Sequence, residues 1–467
     1  MAKAARLGFV LLIMTHFFNV AYYNSVDQIF HAPWTAAKLA RLELVKQSVK
    51  TLWPQGHPTR LIHVTGTSGK GSTSRFLEAG LSLVGPSGAF LSPHIFDYRE
   101  RFSLNGQPPA PDEVVEVWET QIKPHTVALA LHNAQHALTF HEVNILIALA
   151  LFEKYGIEQA AFEVGVGGRY DQTRALDYVA TVLTNIGHDH EHMLGQEKWQ
   201  RALDKAGIAR PGVPFFTGEA DEDMLRVIAG VCESVEAPFH HIDQSDASTL
   251  KTRLAALPAD AQPRSELLTT PYQQQNAALS LAVIQQLYPE IDVTAVLQKF
   301  LTVNLLGRLL PVEDNIYADI AHNPEKISAF TQTVTEKFGR RGKIFVVGVS
   351  GFRTPATMFG PIMAIAKTVI VTSASYKGQD PTSVKKAIDA IAGATPTFVI
   401  PDSQQALQLA KSMREPDDVI ILTGSAYLID QALNPDPYLR YLNATQGWRE
   451  VEEINIDGRV QFKLPAK

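Results

Sequence analysis

Apolar residues fall along this chain in two series of short runs, each run separated from the next by a helix-length stretch. The first series reads as strands at Leu61–Val64, Ala89–Leu91, Ala160–Val164, Ala180–Ile186 and Pro214–Thr217. The second reads as strands at Ile316–Ile320, Lys343–Val349, Thr368–Val371, Thr397–Ile400 and Asp418–Leu422. Stretches of helical length, such as Val143–Tyr155, Asn276–Leu287 and Ser403–Met413, lie between them. Strands that alternate with helices predict parallel sheets covered on both faces, and two series predict two α/β domains. The boundary is expected within "TVNLLGRLLPVEDN", Thr302–Asn315. That divides the chain into an N-terminal extension over 1–40, a central domain over 41–305 and a C-terminal domain over 306–467. The tail after Asp430 is punctuated by Pro and Asn and then charged, so it is expected to wrap back on its domain or to be partly mobile.

Composition narrows the class. A chain of 467 residues has room for two or three domains, since a domain usually takes about 100–200. Its hydrophobic fraction of 45% and charged fraction of 19% are those of an ordinary soluble globular protein. A net charge of -6 gives no overall basic signal for nucleic acid. The single cysteine, Cys232, excludes a disulfide framework within the chain and a Cys-rich zinc site, and fits a reducing, cytoplasmic setting. Lys3 and Arg6 precede an apolar run, Leu7–Met14, in the manner of a signal peptide. The run is short of the ~20 residues that span a bilayer, and no small-x-small site follows it. An appended helix or an overlong start is the favoured reading, with no membrane partner.

The stretch with the clearest chemistry is "HVTGTSGKGSTS", His63–Ser74. Strand, glycine-rich loop and helix follow one another in the order a phosphate loop needs. Glycines let backbone N–H groups close round phosphate oxygens, and the helix adds its positive end. Gly66, Thr67, Ser68, Gly69, Lys70, Gly71, Ser72 and Thr73 form the candidate loop, with Lys70 reaching outer phosphates and Ser72 or Thr73 offering a hydroxyl to Mg²⁺. The G-x-x-x-x-G-K-[ST] pattern is not fully met, because Gly71 separates Lys70 from Ser72. The fold class is therefore a P-loop-type central ATPase domain with a mostly parallel sheet, followed by a Rossmann-like α/β domain.

Seven further motifs occur in one order: "SPHIFDYRERFSLNGQ" (Ser92–Gln107), "TFHEVNILIALALFEKYGIEQAAFEVGVGGRYDQT" (Thr139–Thr173), "TNIGHDHEHMLG" (Thr184–Gly195), "DKAGIARPGVP" (Asp204–Pro214), "GRL" (Gly307–Leu309), "DIAHNP" (Asp319–Pro324) and "GSAYLID" (Gly424–Asp430). From Leu61 to Asp430 this series resembles the folylpolyglutamate synthase/dihydrofolate synthase family, a branch of the Mur ligases. The resemblance implies an ATP-dependent ligase that phosphorylates a folate or dihydropteroate carboxylate and lets the amine of L-glutamate displace the phosphate. Phosphorylation supplies the leaving group that a carboxylate lacks. It further implies that Gly66–Ser72 hold ATP phosphates and that Ser72, Glu163 and His190 bind Mg²⁺. Gln273, Asn276, Arg308 and Asp319 would lie on the nucleotide side, and His322 and Ser425 near the incoming amino acid, with Asp319 and His322 among the catalytic groups. Lys205 matches a lysine that relatives carry as a carbamate, a reaction that needs the neutral amine. A monomer is expected.

Other readings of the same residues stand beside these. In a strand His188, His190 and His192 would share a face, which suits zinc, but the resemblance already uses His190 for magnesium. Glu163 could join a salt bridge and Lys205 could be a solvated helix lysine. The end of an apolar strand argues against the first, since ligands gather there in open α/β sheets. His94 and Arg99 either touch the acceptor or shape a loop. The chain also departs from the family: Ser68 replaces Asn, "DQTR" with Arg174 replaces "DATN", His141 replaces an aromatic residue, and "FRT" (Phe352–Thr354) replaces "DKD". An extra cation at Arg174 could alter substrate preference. The alternatives are a Mur-type ligase acting on a non-folate acid, a non-catalytic nucleotide binder and a membrane-tethered ligase.

Overall fold

The computed structural model describes residues 20–30, 38–188, 190–258, 266–351, 353–434, 454–456 and 460–462. Lys3, Arg6, the run Leu7–Met14, Asp189, Phe352, the side chain of His192 and most of the tail after Asn434 lie outside the described residues. The chain forms two compact units. One comprises Asn24–His94 with Arg99–Asn304, and the other Ile95–Tyr98 with the chain from Leu305 onward and the described residues up to Tyr23.

The Asn24–Asn304 unit is built on seven strands: β1 (Arg60–Thr65), β2 (Ser87–Phe90), β3 (Phe102–Leu104), β4 (Gln159–Glu163), β5 (Ala180–Leu183), β6 (Phe215–Thr217) and β7 (Phe239–His241). Their order is β3-β2-β4-β1-β5-β6-β7, and only β3 runs antiparallel to its neighbour. β1 lies between β4 and β5, with Val64 opposite Glu163 and Val182. The chain therefore leaves β1 into the glycine loop directly beside the carboxyl end of β4, where a doubly wound sheet opens its crevice.

The covering helices explain the near-continuous apolar runs. Phe140–Lys154 is buried from Glu142 to Phe152. It starts three residues before Val143 because Thr139 and Glu142 form a capping box, with the Thr139 N–H 2.8 Å from Glu142 Oε2. Arg41, from the helix Lys38–Leu52, donates through Nε to Glu142 Oε1 at 2.7 Å and so fastens that helix to the unit. Helix Lys70–Leu81 packs Phe76 on Phe300, centroids 5.1 Å apart, and lies so close to helix Pro271–Leu287 that a methyl on Gly80 would stand 2.4 Å from Ile284 Cδ1.

His63 shows what burial does within β1. Its ring is fully buried, stacks on Tyr178 at 4.0 Å between centroids and meets Thr173 Oγ1 through Nε2 at 2.8 Å. Burial, helped by Arg210, lowers its pKa from 6.5 to about 3. Unfolded, His63 binds a proton below pH 6.5 that the folded chain refuses, so its contribution to stability falls as pH drops from 6.5 toward 3. Between about pH 7 and pH 5 the wild type should lose roughly 2 kcal/mol more stability in urea unfolding than His63→Phe. Equal losses would show that His63 carries no such linkage.

The second unit holds six strands: β8 (Leu310–Glu313), β9 (Ile316–Asp319), β10 (Lys343–Val347), β11 (Thr368–Ser373), β12 (Thr397–Asp402) and β13 (Val419–Thr423). Their order is β12-β11-β10-β13-β9-β8, parallel except for β8. Phe345 and Val347 pack with Ile327, Phe330, Val334 and Phe338 of helix Pro324–Phe338 on one face. Ile344 and Val346 pack with Leu407, Ala410 and Ile429 on the other, the alternation of a strand buried on both sides. Strands 454–456 and 460–462 form a separate antiparallel pair.

All ten strands read from apolar runs are present, with ends shifted by a few residues. Five short ones, β3, β7, β8 and the pair 454–456 and 460–462, have no counterpart among those runs. The segment around His188–His192 is not a strand: His190 is left-handed at φ 53° and opens the short helix Glu191–Leu194, so the shared-face argument for zinc does not hold. No helix among the described residues is long and apolar enough to cross a membrane. Cys232 is buried, and burial pushes its thiol up to about 12.

Candidate active site

The loop after β1 takes its shape from glycine. Gly66 has φ 144° and Gly69, which caps helix Lys70–Leu81, has φ 84°, both costly for residues with a Cβ. A Cβ on Gly66 would stand 1.8 Å from Thr184 Oγ1, and one on Gly69 would stand 2.4 Å from Asn276 Oδ1. The loop is braced from the end of β5. Thr67 N–H donates to Asn185 O at 3.0 Å, Ser68 N–H to Asn185 Oδ1 at 2.9 Å, and Thr184 Oγ1 to Ser68 O at 2.5 Å. Thr184 and Asn185 were not picked out from sequence; they matter because the fold sets β5 beside β1.

Helix Pro271–Leu287 braces the other side. Gln273 Nε2 donates to Ser72 Oγ at 3.1 Å, and Asn276 Nδ2 to Gln273 Oε1 at 3.1 Å. Gln273 and Asn276 therefore support the start of the loop helix.

Charged groups converge behind the loop. Lys70 Nζ donates to Gly66 O at 3.1 Å and lies 4.0 Å from Glu163 Oε1. Lys205, on helix Lys198–Ala206, is only 3% exposed, and its Nζ also donates to Gly66 O, at 3.1 Å. Two ammonium groups thus share one carbonyl. Glu163 is 3% exposed and accepts the Ser92 N–H at 2.9 Å. A phosphate nearby would lower the cost of bringing these two ammonium groups together.

Mg²⁺ prefers hard oxygen ligands, and Ser72 and Glu163 supply a hydroxyl and a carboxylate flanking a cradle that Gly66, Gly69 and Gly71 keep free of side chains. The residues present fit that ion. His190 follows the segment whose Gly187 N–H donates to Thr67 Oγ1 at 2.9 Å. The fully buried Arg201 fixes this segment by donating to the carbonyls of Gly187 at 2.9 Å, Gly195 at 3.0 Å and Gln196 at 2.8 Å. Among the described residues no three His, Cys, Asp or Glu side chains gather as a ready metal site.

Asp171, from "DQTR", accepts from Thr173 N–H at 3.0 Å and Thr173 Oγ1 at 2.6 Å, with His141 Nε2 at 3.3 Å. Burial opposes its charge, but His141 and these hydrogen bonds outweigh it and hold the carboxyl well below the usual range. Arg101 Nε donates to His94 Nδ1 at 2.8 Å and Arg99 to Pro109 O at 3.1 Å.

The second unit gathers its candidates at the carboxyl ends of β9, β10 and β13. Asp319 accepts from Leu309 N–H and Ala321 N–H, each at 2.8 Å. Burial raises its pKa despite Arg308 and these hydrogen bonds. His322 Nδ1 lies 2.7 Å from Ile320 O, so Nδ1 carries the proton, and Nε2 faces Lys326 Nζ at 3.2 Å. Ser425 Oγ lies 2.5 Å from Ser350 Oγ at the start of helix Ala426–Leu433. Just before it, Gly424 at φ 101° brings the chain so near β10 that a Cβ would stand 2.3 Å from Gly348 O. Gly424 N–H donates to Ala321 O at 3.0 Å, which ties Ser425 to the Asp319–His322 loop.

A braced phosphate loop followed by this second sheet has known counterparts. Residues 307–426 match the Mur ligase glutamate ligase domain. The structure is similar to Mycobacterium tuberculosis folylpolyglutamate synthase complexed with ADP, with a TM-score of 0.76 and 24% identity over 88% of this chain and 97% of that one. It is also similar to the bifunctional folylpolyglutamate synthase/dihydrofolate synthase of Yersinia pestis complexed with AMPPNP and Mn ion, with a TM-score of 0.68 and 25% identity over 83% and 92%. Fold and loop together define a ligase of the Mur class. The sequence is 30% identical over 397 residues to the dihydrofolate synthase/folylpolyglutamate synthase of Bacillus subtilis, covering 80% of this chain and 90% of that one. The chain belongs to the dihydrofolate synthase/folylpolyglutamate synthase family.

Proposed function

We propose that this protein uses ATP to join the carboxylate of a folate or dihydropteroate to the amine of L-glutamate. The observation that carries the reading is the braced loop Gly66–Thr73 with Lys70, Glu163 and Lys205 converging behind it, in a chain of this family. The Yersinia pestis relative binds AMPPNP and Mn, which supports a nucleotide and a divalent cation, Mg²⁺, here. The central ATP-binding part is 41–305 and the glutamate ligase part 306–467. The reading places the protein in the cytoplasm as a monomer, where nucleotide, folate and glutamate are at hand.

The acceptor carboxylate oxygen attacks the terminal phosphorus and ADP leaves. The glutamate amine then attacks the acyl carbon, a proton is lost and inorganic phosphate departs. Lys70 and the N–H groups of the loop hold the phosphates while negative charge moves between them. Ser72, Glu163 and His190 would hold Mg²⁺, which would supply further neutralisation of phosphate charge. Lys205 as a carbamate would carry a negative charge where the free amine carries a positive one, and would relieve its competition with Lys70 for Gly66 O. Arg308 and Asp319 serve the nucleotide side. His322 and Ser425 meet the incoming amino acid, and the His322 imidazole is the group to accept the proton that the attacking amine sheds.

Purified protein should release phosphate from ATP only when glutamate and a pteroate or folate acceptor are both present. Oxygen-18 in the acceptor carboxylate should appear in the phosphate. Release with another organic acid but with no folate would move the reading to a different Mur-type acceptor. ATP binding without ligation of any acid would leave only a nucleotide binder.

A further inference from the structure

Three guanidinium groups lie together where the loop that runs on from Glu163, carrying Arg169 and Arg174, meets Arg210, just after helix Lys198–Ala206. Arg174 Nε donates to Gly207 O at 2.9 Å, two residues beyond Lys205. Arg210 donates through Nη2 to Arg174 O and sits over the Tyr178 ring at 5.3 Å. Arg169 lies over Tyr170 at 5.6 Å, its stem against Gly207, where a Cβ would meet Arg169 Cβ at 2.5 Å. The three groups feel one another: Arg174 is made easier to deprotonate by burial, then by Arg210 and Arg169.

Their partners are backbone carbonyls and aromatic faces; among the described residues none of the three has a carboxylate within ion-pair distance. The nearby acids are committed elsewhere or out in solvent. Asp171 holds Thr173, the Val166 N–H and His141, and Asp177 is exposed. Arg210 Nε is buried with no hydrogen-bond partner. Three like charges brought together without a counter-charge repel one another, and that cost is recovered when an oxyanion joins them.

We propose that Arg169, Arg174 and Arg210 form an oxyanion subsite, separate from the phosphate loop, for a multiply charged carboxylate or phosphate. Two sources share that chemistry. One is the γ-linked glutamyl tail of an acceptor that already carries glutamate, which rests on the ligase reading above. The other is a free inorganic anion. A tail that grows by one carboxylate each turn suits a cluster of several forks better than a single charge does.

The test uses the full chain saturated with AMPPNP and Mg²⁺, so that the phosphate loop is filled. γ-Linked triglutamate and inorganic phosphate are titrated in separate calorimetric runs. Wild type should bind, and Arg174→Asn should weaken binding by about tenfold or more while AMPPNP affinity is unchanged. A response to triglutamate assigns the site to the acceptor tail, and a response to phosphate alone assigns it to a free anion. If wild type binds neither probe, or if Arg174→Asn lowers the melting temperature without weakening either probe, the arginines are loop fasteners and the subsite does not exist. Should Arg174→Asn fail to fold, Arg169→Gln at the exposed member of the cluster gives the same readout. Binding of triglutamate in a protein that ligates no folate would sink the ligase reading and leave the subsite standing.

Discussion

Lys205→Ala should lower kcat by about 100-fold or more while nucleotide affinity changes little, as expected when a group that stabilises developing charge is removed. The argument starts from burial. Lys205 is 3% exposed to solvent, and its Nζ shares the Gly66 carbonyl with Lys70. If the neutral amine attacks CO₂ and sheds a proton, the side chain becomes an anion among cations. Acetate or another short carboxylic acid, diffusing into the space left by the truncation, should restore part of the rate. Lys205→Arg keeps the positive charge but cannot form the carbamate, so it should stay slow. Wild-type turnover in Lys205→Ala, or full activity in Lys205→Arg, would remove Lys205 from the mechanism.

Gly66→Ala is the second large effect. Its φ of 144° strains any residue with a Cβ, and the new methyl would stand 1.8 Å from Thr184 Oγ1 and 3.2 Å from the Thr184 backbone nitrogen. Thr184 would have to swing away and give up Ser68 O, which opens the loop on the side where β5 braces it. Strain and crowding together should cost about 2–4 kcal/mol in stability, and AMPPNP affinity should fall about 100-fold. Gly106→Ala separates the two terms. Gly106 also has positive φ, 86°, but a Cβ there meets nothing within 4 Å, so that variant should lose stability and keep its nucleotide. Thr184→Ala in the Gly66→Ala background should recover part of the binding. Unchanged AMPPNP affinity in Gly66→Ala would mean that the loop does not hold the nucleotide.

What sequence could show here follows from burial. Strands covered on both faces, such as β10 and β13, are continuous apolar runs and stand out. β3 and β7 have three residues each, and β8 carries Pro311 and a charged end, so none presents a run long enough to read. The start of helix Phe140–Lys154 is legible in the Thr139–Glu142 capping box, three residues ahead of its apolar stretch. The phosphate loop was visible because its chemistry is local. Its braces Thr184 and Asn185 were not, because contacts more than a hundred residues apart leave no mark on a single chain, and Gln273 stood out only through the family resemblance. Arg201 gave no sign of importance, since a buried arginine that donates to three carbonyls looks in sequence like any helix cation.

Cys232 offers a practical opening. A lone thiol on the buried face of helix Glu222–Ser234, its pKa pushed up to about 12 by burial, should react slowly with maleimides and methanethiosulfonates at neutral pH. Two cysteines introduced on solvent-facing positions, one in each unit, would therefore be the only reactive sulfur atoms. Spin labels or fluorophores could then be attached without first rebuilding the background, and the separation of the two halves followed through a catalytic cycle.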